Sequence, residues 1–130
     1  LNDHYENEER QRHIEYKRQE KEKKSSKKEG YIYLLHSEVG YYKIGKAVDP
    51  WSRGQTIGTE HAYKVNLIYV ARCTDRAKVE RLLHQTLAEY RMNGEWFNLP
   101  PDKVEWLIYH DWVDDLSLRA IVTDCERMPQ

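Results

Sequence analysis

Polar and apolar positions divide the chain at Gly30. Before it, the large hydrophobes are Leu1, Tyr5, Ile14 and Tyr16, scattered among Glu, Lys, Arg and Gln. No heptad is sustained, so a two-stranded coiled coil is not predicted. Opposite charges three or four apart, as in Glu6 with Arg10 and Glu20 with Lys23 and Lys24, predict a solvated, charged helix over residues 1–29. The stretch Lys23 to Lys28 reads as its hinge or linker to the rest.

After Gly30 the pattern changes. Tyr31–Leu35 and Tyr41–Ala47 are β-rich runs around the turn His36–Gly40, which predicts a hairpin. Asp49 followed by Pro50 opens a helix over Pro50–Ile57: the carboxylate caps and the proline fits the first turn. Lys64–Cys73, rich in Val, Ile, Leu and Tyr, predicts a buried third strand. Thr74 or Asp75 then caps a helix over Asp75–Arg91. Its apolar stripe is Val79, Leu82, Leu83, Leu87 and Tyr90. Asn93-Gly94 ends that helix, Glu95–Leu99 is a short extended piece, and Pro100-Pro101 opens a helix with Val104, Trp106, Leu107 and Ile108 facing a core. Beyond Trp112 the pattern fades into an acidic tail. The expected fold is α+β: a small antiparallel three-stranded sheet flanked by helices, preceded by the charged helix. The expected divisions are a connector over 1–29, one domain over 30–113 and a tail over 114–130.

Composition sharpens this division. The chain has 130 residues, 39% of them apolar and 33% charged, enough for one small core and a solvated appendage. The net charge of −1 averages unlike parts. Residues 1–29 hold nine Lys/Arg against eight Asp/Glu, and residues 103–130 hold three against six. No part is a polycation. Cys73 and Cys125 are far apart and in no CxxC pattern, which speaks against a disulfide framework or a zinc module and for a reduced, cytoplasmic protein. No apolar run approaches a membrane span, and no signal peptide is visible. The first residue is Leu1, so an upstream domain is an open expectation, as is a homo-oligomer.

The candidate chemistry is a set of phosphate-handling groups. Tyr33, Lys43 and Arg53 sit ten apart: a phenol can move a proton, and two cations can hold negative oxygens. Tyr33 shares a strand face with Tyr31 and Leu35, where it serves chemistry or packs a sheet edge. Lys43 is a phosphate contact or an exposed strand lysine, and Lys46 is a weaker candidate for the same contact. Arg53, one turn into the helix after Pro50, offers a fork that suits phosphate or a salt bridge. Glu80 and His84 lie four apart on one helix face. His84 either touches phosphate or hydrogen-bonds in the core. Gly45 admits close approach by a substrate backbone, or marks a bulge. Trp96 and Phe97 read as core.

Five of these pieces recur in one order: Tyr31-Ile-Tyr33, Lys43-Ile-Gly45, Asp49-Pro-x-x-Arg53, Glu80-x-x-Leu-His84 and Gly94-Glu-Trp-Phe97. Together they resemble the GIY-YIG nuclease superfamily, and more narrowly its phage-T5-type and meiotically-up-regulated-gene-type branch. The resemblance covers about Gly30 to Leu99. It departs at Tyr31, where the family has glycine, and at Lys43, where a second tyrosine is replaced, as is usual in this branch. It implies a DNA endonuclease with Tyr33 as general base and Glu80 as ligand of one Mg²⁺ or Mn²⁺. Lys43, Arg53 and His84 complete the catalytic set, and Lys46 and Arg53 contact nucleic acid. A zinc site would need more nitrogen or sulfur ligands than are visible. No small-molecule cofactor is expected. A charged helix ahead of such a domain also resembles the layout of some bacterial phage-defence proteins, and a mobile-element or phage enzyme is equally compatible. The alternatives are a non-catalytic DNA-binding module of the same fold, or an interaction module acting through residues 1–29 and the tail.

Overall fold

The computed structural model describes residues 28–52 and 64–129. The charged helix expected over residues 1–29 (save its last two residues, a turn and a coil position), Arg53 and most of the helix expected over Pro50–Ile57 lie outside the described residues.

Three strands build the centre: β1 (Gly30–Ser37), β2 (Tyr42–Ala47) and β3 (Val65–Cys73). β1 lies in the middle and pairs antiparallel with both neighbours. Its burial follows from that position, since a central strand covered on both faces carries apolar side chains without alternation. The β1–β2 turn closes as its residues dictate. Ser37 Oγ accepts from Tyr41 N–H at 3.1 Å, and the Gly40 N–H donates to the Ser37 carbonyl at 2.9 Å. After β2, the chain turns helical at residues 50–52, with Asp49 Oδ1 accepting from Ser52 N–H at 3.1 Å.

The long helix is α1 (Arg76–Thr86), capped by Asp75, whose Oδ1 accepts from Lys78 N–H at 3.2 Å. It stops one turn short of the length its apolar stripe predicts. Thr86 turns its hydroxyl back onto the Leu82 carbonyl at 2.7 Å, the kind of side-chain bond that competes with helix continuation. A 3₁₀ turn over Ala88–Tyr90 follows, and Arg91, expected as the last helical residue, instead starts a strand. β4 (Arg91–Asn93) and β5 (Trp96–Phe97) form a tight hairpin through Gly94, whose φ of 58° suits glycine. β5 pairs with β2, setting Lys43 opposite Trp96. Two more helices follow, α2 (Pro101–Ile108) and α3 (Asp111–Asp115).

Among the described residues the sheet has six antiparallel strands, in the order β4-β5-β2-β1-β3-β6, built around the three that were expected. The last, β6 (Val122–Arg127), comes from the stretch that reads as an acidic tail, and it pairs along β3. Its residues are mostly exposed, so no alternation marks it as a strand. The fold class stands as α+β.

The main core lies between one sheet face and the helices α1, α2 and α3. Ile32, Leu34, Ile44 and Tyr69 from the sheet meet Val79, Leu83, Leu87, Leu107 and Trp112. A smaller cluster, Tyr33, Leu35 and Val70, occupies the opposite face. Trp112 is fully buried and donates its indole N–H to the Tyr69 hydroxyl at 3.0 Å. The same hydroxyl lies 2.9 Å from His110 Nδ1. His110, exposed and in a left-handed backbone position with φ 69°, thus ends a hydrogen-bonded chain that starts at the buried Trp112.

Candidate functional site

Strand β2 organises the chemistry because its alternation sends neighbouring residues to opposite faces. Lys43 and Gly45 share the face of Tyr33 and Leu35, their partners running Lys43 to Leu35 and Gly45 to Tyr33. Ile44 and Lys46 share the face covered by α1. The two sets are separated by the thickness of the strand.

On the first face, Tyr33 is only 1% exposed and leans across β2 over Gly45. A β-carbon placed on Gly45 would collide with Tyr33 Cζ and Oη, so glycine here makes room for the phenol. Lys43 Nζ reaches the other way, to Glu95 Oε2 at 3.2 Å and over the Trp96 ring at 5.9 Å. Tyr31 meets exposed Trp51 edge-on at 5.4 Å, at the start of the segment that leads to Arg53.

On the second face, α1 brings Glu80 and His84 down onto β2. Glu80 is 8% exposed, and its Oε1 takes an ion pair from Lys46 Nζ at 3.1 Å. Its Oε2 is buried with no hydrogen-bond partner among the described residues. His84 Nε2 lies 2.8 Å from the Ile44 carbonyl, and its ring meets Phe97 edge-on at 5.1 Å. Glu80 and His84 open onto a surface cleft of about 360 Å³, lined also by Arg81, Gln85, Ala88 and Arg91. Arg91 is held by its Nε–H, which donates to the Gly94 carbonyl at 2.6 Å.

The structure therefore brings Lys46, Glu80 and His84 together. It puts Tyr33 and Lys43 on the other side of β2, and Arg53 lies outside the described residues. Arg81 and Arg91 are absent from the sequence-level candidates. Arg81 had a signal, being next to Glu80. Arg91 had none while it was read as the end of a long helix, because the 3₁₀ turn is what brings it to the cleft.

Does this arrangement suit a cation? Among the described residues no group of three His, Cys, Asp or Glu side chains converges, which speaks against a dense protein cage. A hard divalent ion that keeps waters and takes ligand oxygens needs less. A buried carboxylate oxygen without a donor is rare, and such an atom calls for a missing partner. Glu80 Oε2 fits that part.

The T5orf172 domain family matches residues 30–113, more than half of the chain. The chain belongs to this family. The T5orf172 domain is associated with endonuclease-like proteins of phages, and a nuclease-like or DNA-binding role follows at that level. Comparison with curated proteins and with solved structures gives no match. All the candidate residues fall inside the T5orf172 match, whereas β6 lies beyond it. Among the described residues no helix is long and apolar enough to cross a membrane.

Proposed function

We propose that this T5orf172 domain is a metal-dependent endonuclease of the GIY-YIG type acting on DNA phosphodiesters. One observation carries the reading: the buried Glu80 carboxylate has one oxygen tied to Lys46 and the other without a donor, at the wall of a cleft with two arginines. Binding alone needs no such carboxylate, since an acid beside a phosphate repels it.

The roles follow from charge and reach. Glu80 Oε2 would hold one Mg²⁺ or Mn²⁺, which when bound supplies charge to stabilise the departing oxygen. Lys46 fixes the Glu80 carboxylate through Oε1 and offers its remaining donors outward, its side chain being 39% exposed. Arg81 and Arg91 line the path a phosphate backbone would take, and guanidinium forks suit its oxygens. Arg53 remains a proposed phosphate contact.

A second reading, a non-catalytic DNA-binding module of the same fold, draws support from the burial of Tyr33 and the Lys43–Glu95 pair. Both would leave the family's tyrosine-bearing face idle. Plasmid DNA incubated with the protein and Mg²⁺ or Mn²⁺ separates the two. Nicking that disappears with EDTA and in Glu80→Gln supports the enzyme. DNA retention without nicking in either metal, with Glu80→Gln binding DNA as well as the natural chain, leaves the binding module.

A further inference from the structure

We propose that Lys46 couples metal loading to DNA binding. Its ammonium holds Glu80 in the DNA-free protein and passes to a backbone phosphate when DNA arrives. The proposal rests on the reading of Glu80 as a metal ligand and adds a regulation of that same site.

Register makes the pair. β2 sets Lys46 opposite Ile32, whose side chain packs in the core beneath α1. Lys46 Nζ therefore meets what α1 lowers onto that face, and stands 3.1 Å from Glu80 Oε1. The two partners differ in freedom. Glu80 is buried on a helix anchored by the buried Val79 and Leu83, so its carboxylate stays in place. Lys46 is the more exposed partner, on a flexible four-carbon stem. Its ammonium can change acceptors while the stem keeps its footing on β2.

Charge sets the order of events. The Glu80 carboxylate carries one negative charge, and Lys46 already balances it. A divalent ion at Oε2 would share that carboxylate with the ammonium, and like charges so close oppose each other. Metal binding to the DNA-free protein is thereby held weak. A phosphodiester shifts the balance, because it brings a negative charge to the cleft that Glu80 shares with Arg81 and Arg91. Lys46 then has a second acceptor. As it moves across, Oε1 loses its donor and joins Oε2, which has none among the described residues. The carboxylate is left with two oxygens and a full charge for a cation. Metal and DNA so raise each other's affinity, and linkage makes the effect mutual. The cation is recruited where there is a backbone to cut.

The test measures Mn²⁺ binding to the full chain by electron paramagnetic resonance of the free ion. Lys46→Met and Lys46→Gln should bind Mn²⁺ about tenfold more tightly than the natural chain, having lost the competing charge. Lys46→Gln keeps an N–H donor for Oε1, so it separates charge from positioning. Lys46→Arg keeps the charge and should stay near the natural affinity. Adding Glu80→Gln to Lys46→Met should abolish the gain. Mn²⁺ should also raise the melting temperature of Lys46→Met more than that of the natural chain, because it relieves an uncompensated buried carboxylate. The coupling is read by anisotropy of a labelled phosphorothioate duplex, which keeps the backbone charge and resists hydrolysis. Mn²⁺ should tighten this duplex on the natural chain by a larger factor than on Lys46→Gln.

If Lys46→Met and Lys46→Gln bind Mn²⁺ no more tightly than the natural chain while Glu80→Gln loses it, the coupling is overturned and Glu80 remains a ligand. Mn²⁺ binding that survives Glu80→Gln overturns the metal site and the coupling together. The expected Mn²⁺ pattern in a chain that never nicks plasmid DNA supports the coupling and overturns the endonuclease reading.

Discussion

The two faces of β2 carry the same kind of pair in different settings. Lys46 meets Glu80 on the helix-covered face, and Lys43 meets Glu95 on the other. In the first pair the acid is the buried partner, with a side chain 11% exposed against 39% for the lysine. In the second the lysine is the buried one, 13% against 34%. A buried acid with a spare oxygen invites a cation, whereas the more buried Lys43 already meets a carboxylate and the Trp96 ring. The faces thus differ less in residue type than in which charge is left wanting.

The largest effect should come from Glu80. Glu80→Gln should lower cleavage by about 10²-fold or more, from the loss of charge stabilisation, while thermal melting stays level or rises. The rise is expected because an amide avoids the desolvation of a buried, half-paired carboxylate. A large drop in melting temperature would mean that Glu80 serves the fold first.

Next comes the first face. Gly45→Ala should destabilise by about 1–3 kcal/mol, because the new methyl displaces the Tyr33 phenol. In a Tyr33→Ala background the same change should cost much less, and a double-mutant cycle in urea reads the coupling. Additive costs would show that Tyr33 does not need the space over Gly45.

Much of this was legible before any coordinates. Hairpin, third strand and helix start are marked by β-rich runs, a turn with Gly40 and the caps Asp49 and Asp75, all local signals. The helix end was not, because a threonine bonding backwards and a 3₁₀ turn leave the apolar spacing of Leu87 and Tyr90 unchanged. β6 was illegible for another reason: an edge strand with mostly exposed residues has no buried face to write into its pattern. At the site, Glu80 and His84 could be paired from helical spacing alone. The link from Lys46 to Glu80 spans 34 residues, and only the register of β1 on β2 decides which face each lysine takes.

Two smaller effects probe what lies beyond the pairs. Tyr69→Phe removes the acceptor of the buried Trp112 indole and the partner of His110, and should cost about 1–3 kcal/mol by denaturant titration. Burial raises the Cys73 thiol to about 12. The folded value lies above the unfolded one, so the associated stability is whole below the ordinary thiol range and is lost as pH climbs towards 12. Melting temperature should therefore decline above about pH 9, and Cys73→Ala should flatten that decline. The smallest change should be Glu95→Gln, about 0–1 kcal/mol for a partly solvated pair.

The placement of β6 reaches beyond enzymology. The stretch that defines kinship stops at residue 113, but the folded body does not. Anyone trimming the protein to its recognisable portion would strip the outer neighbour from β3 and bare a long row of backbone donors and acceptors. Such a fragment would keep every candidate residue and still tend to clump. Ancestry and self-sufficiency are drawn on different maps here, and a minimal version of the protein must follow the second.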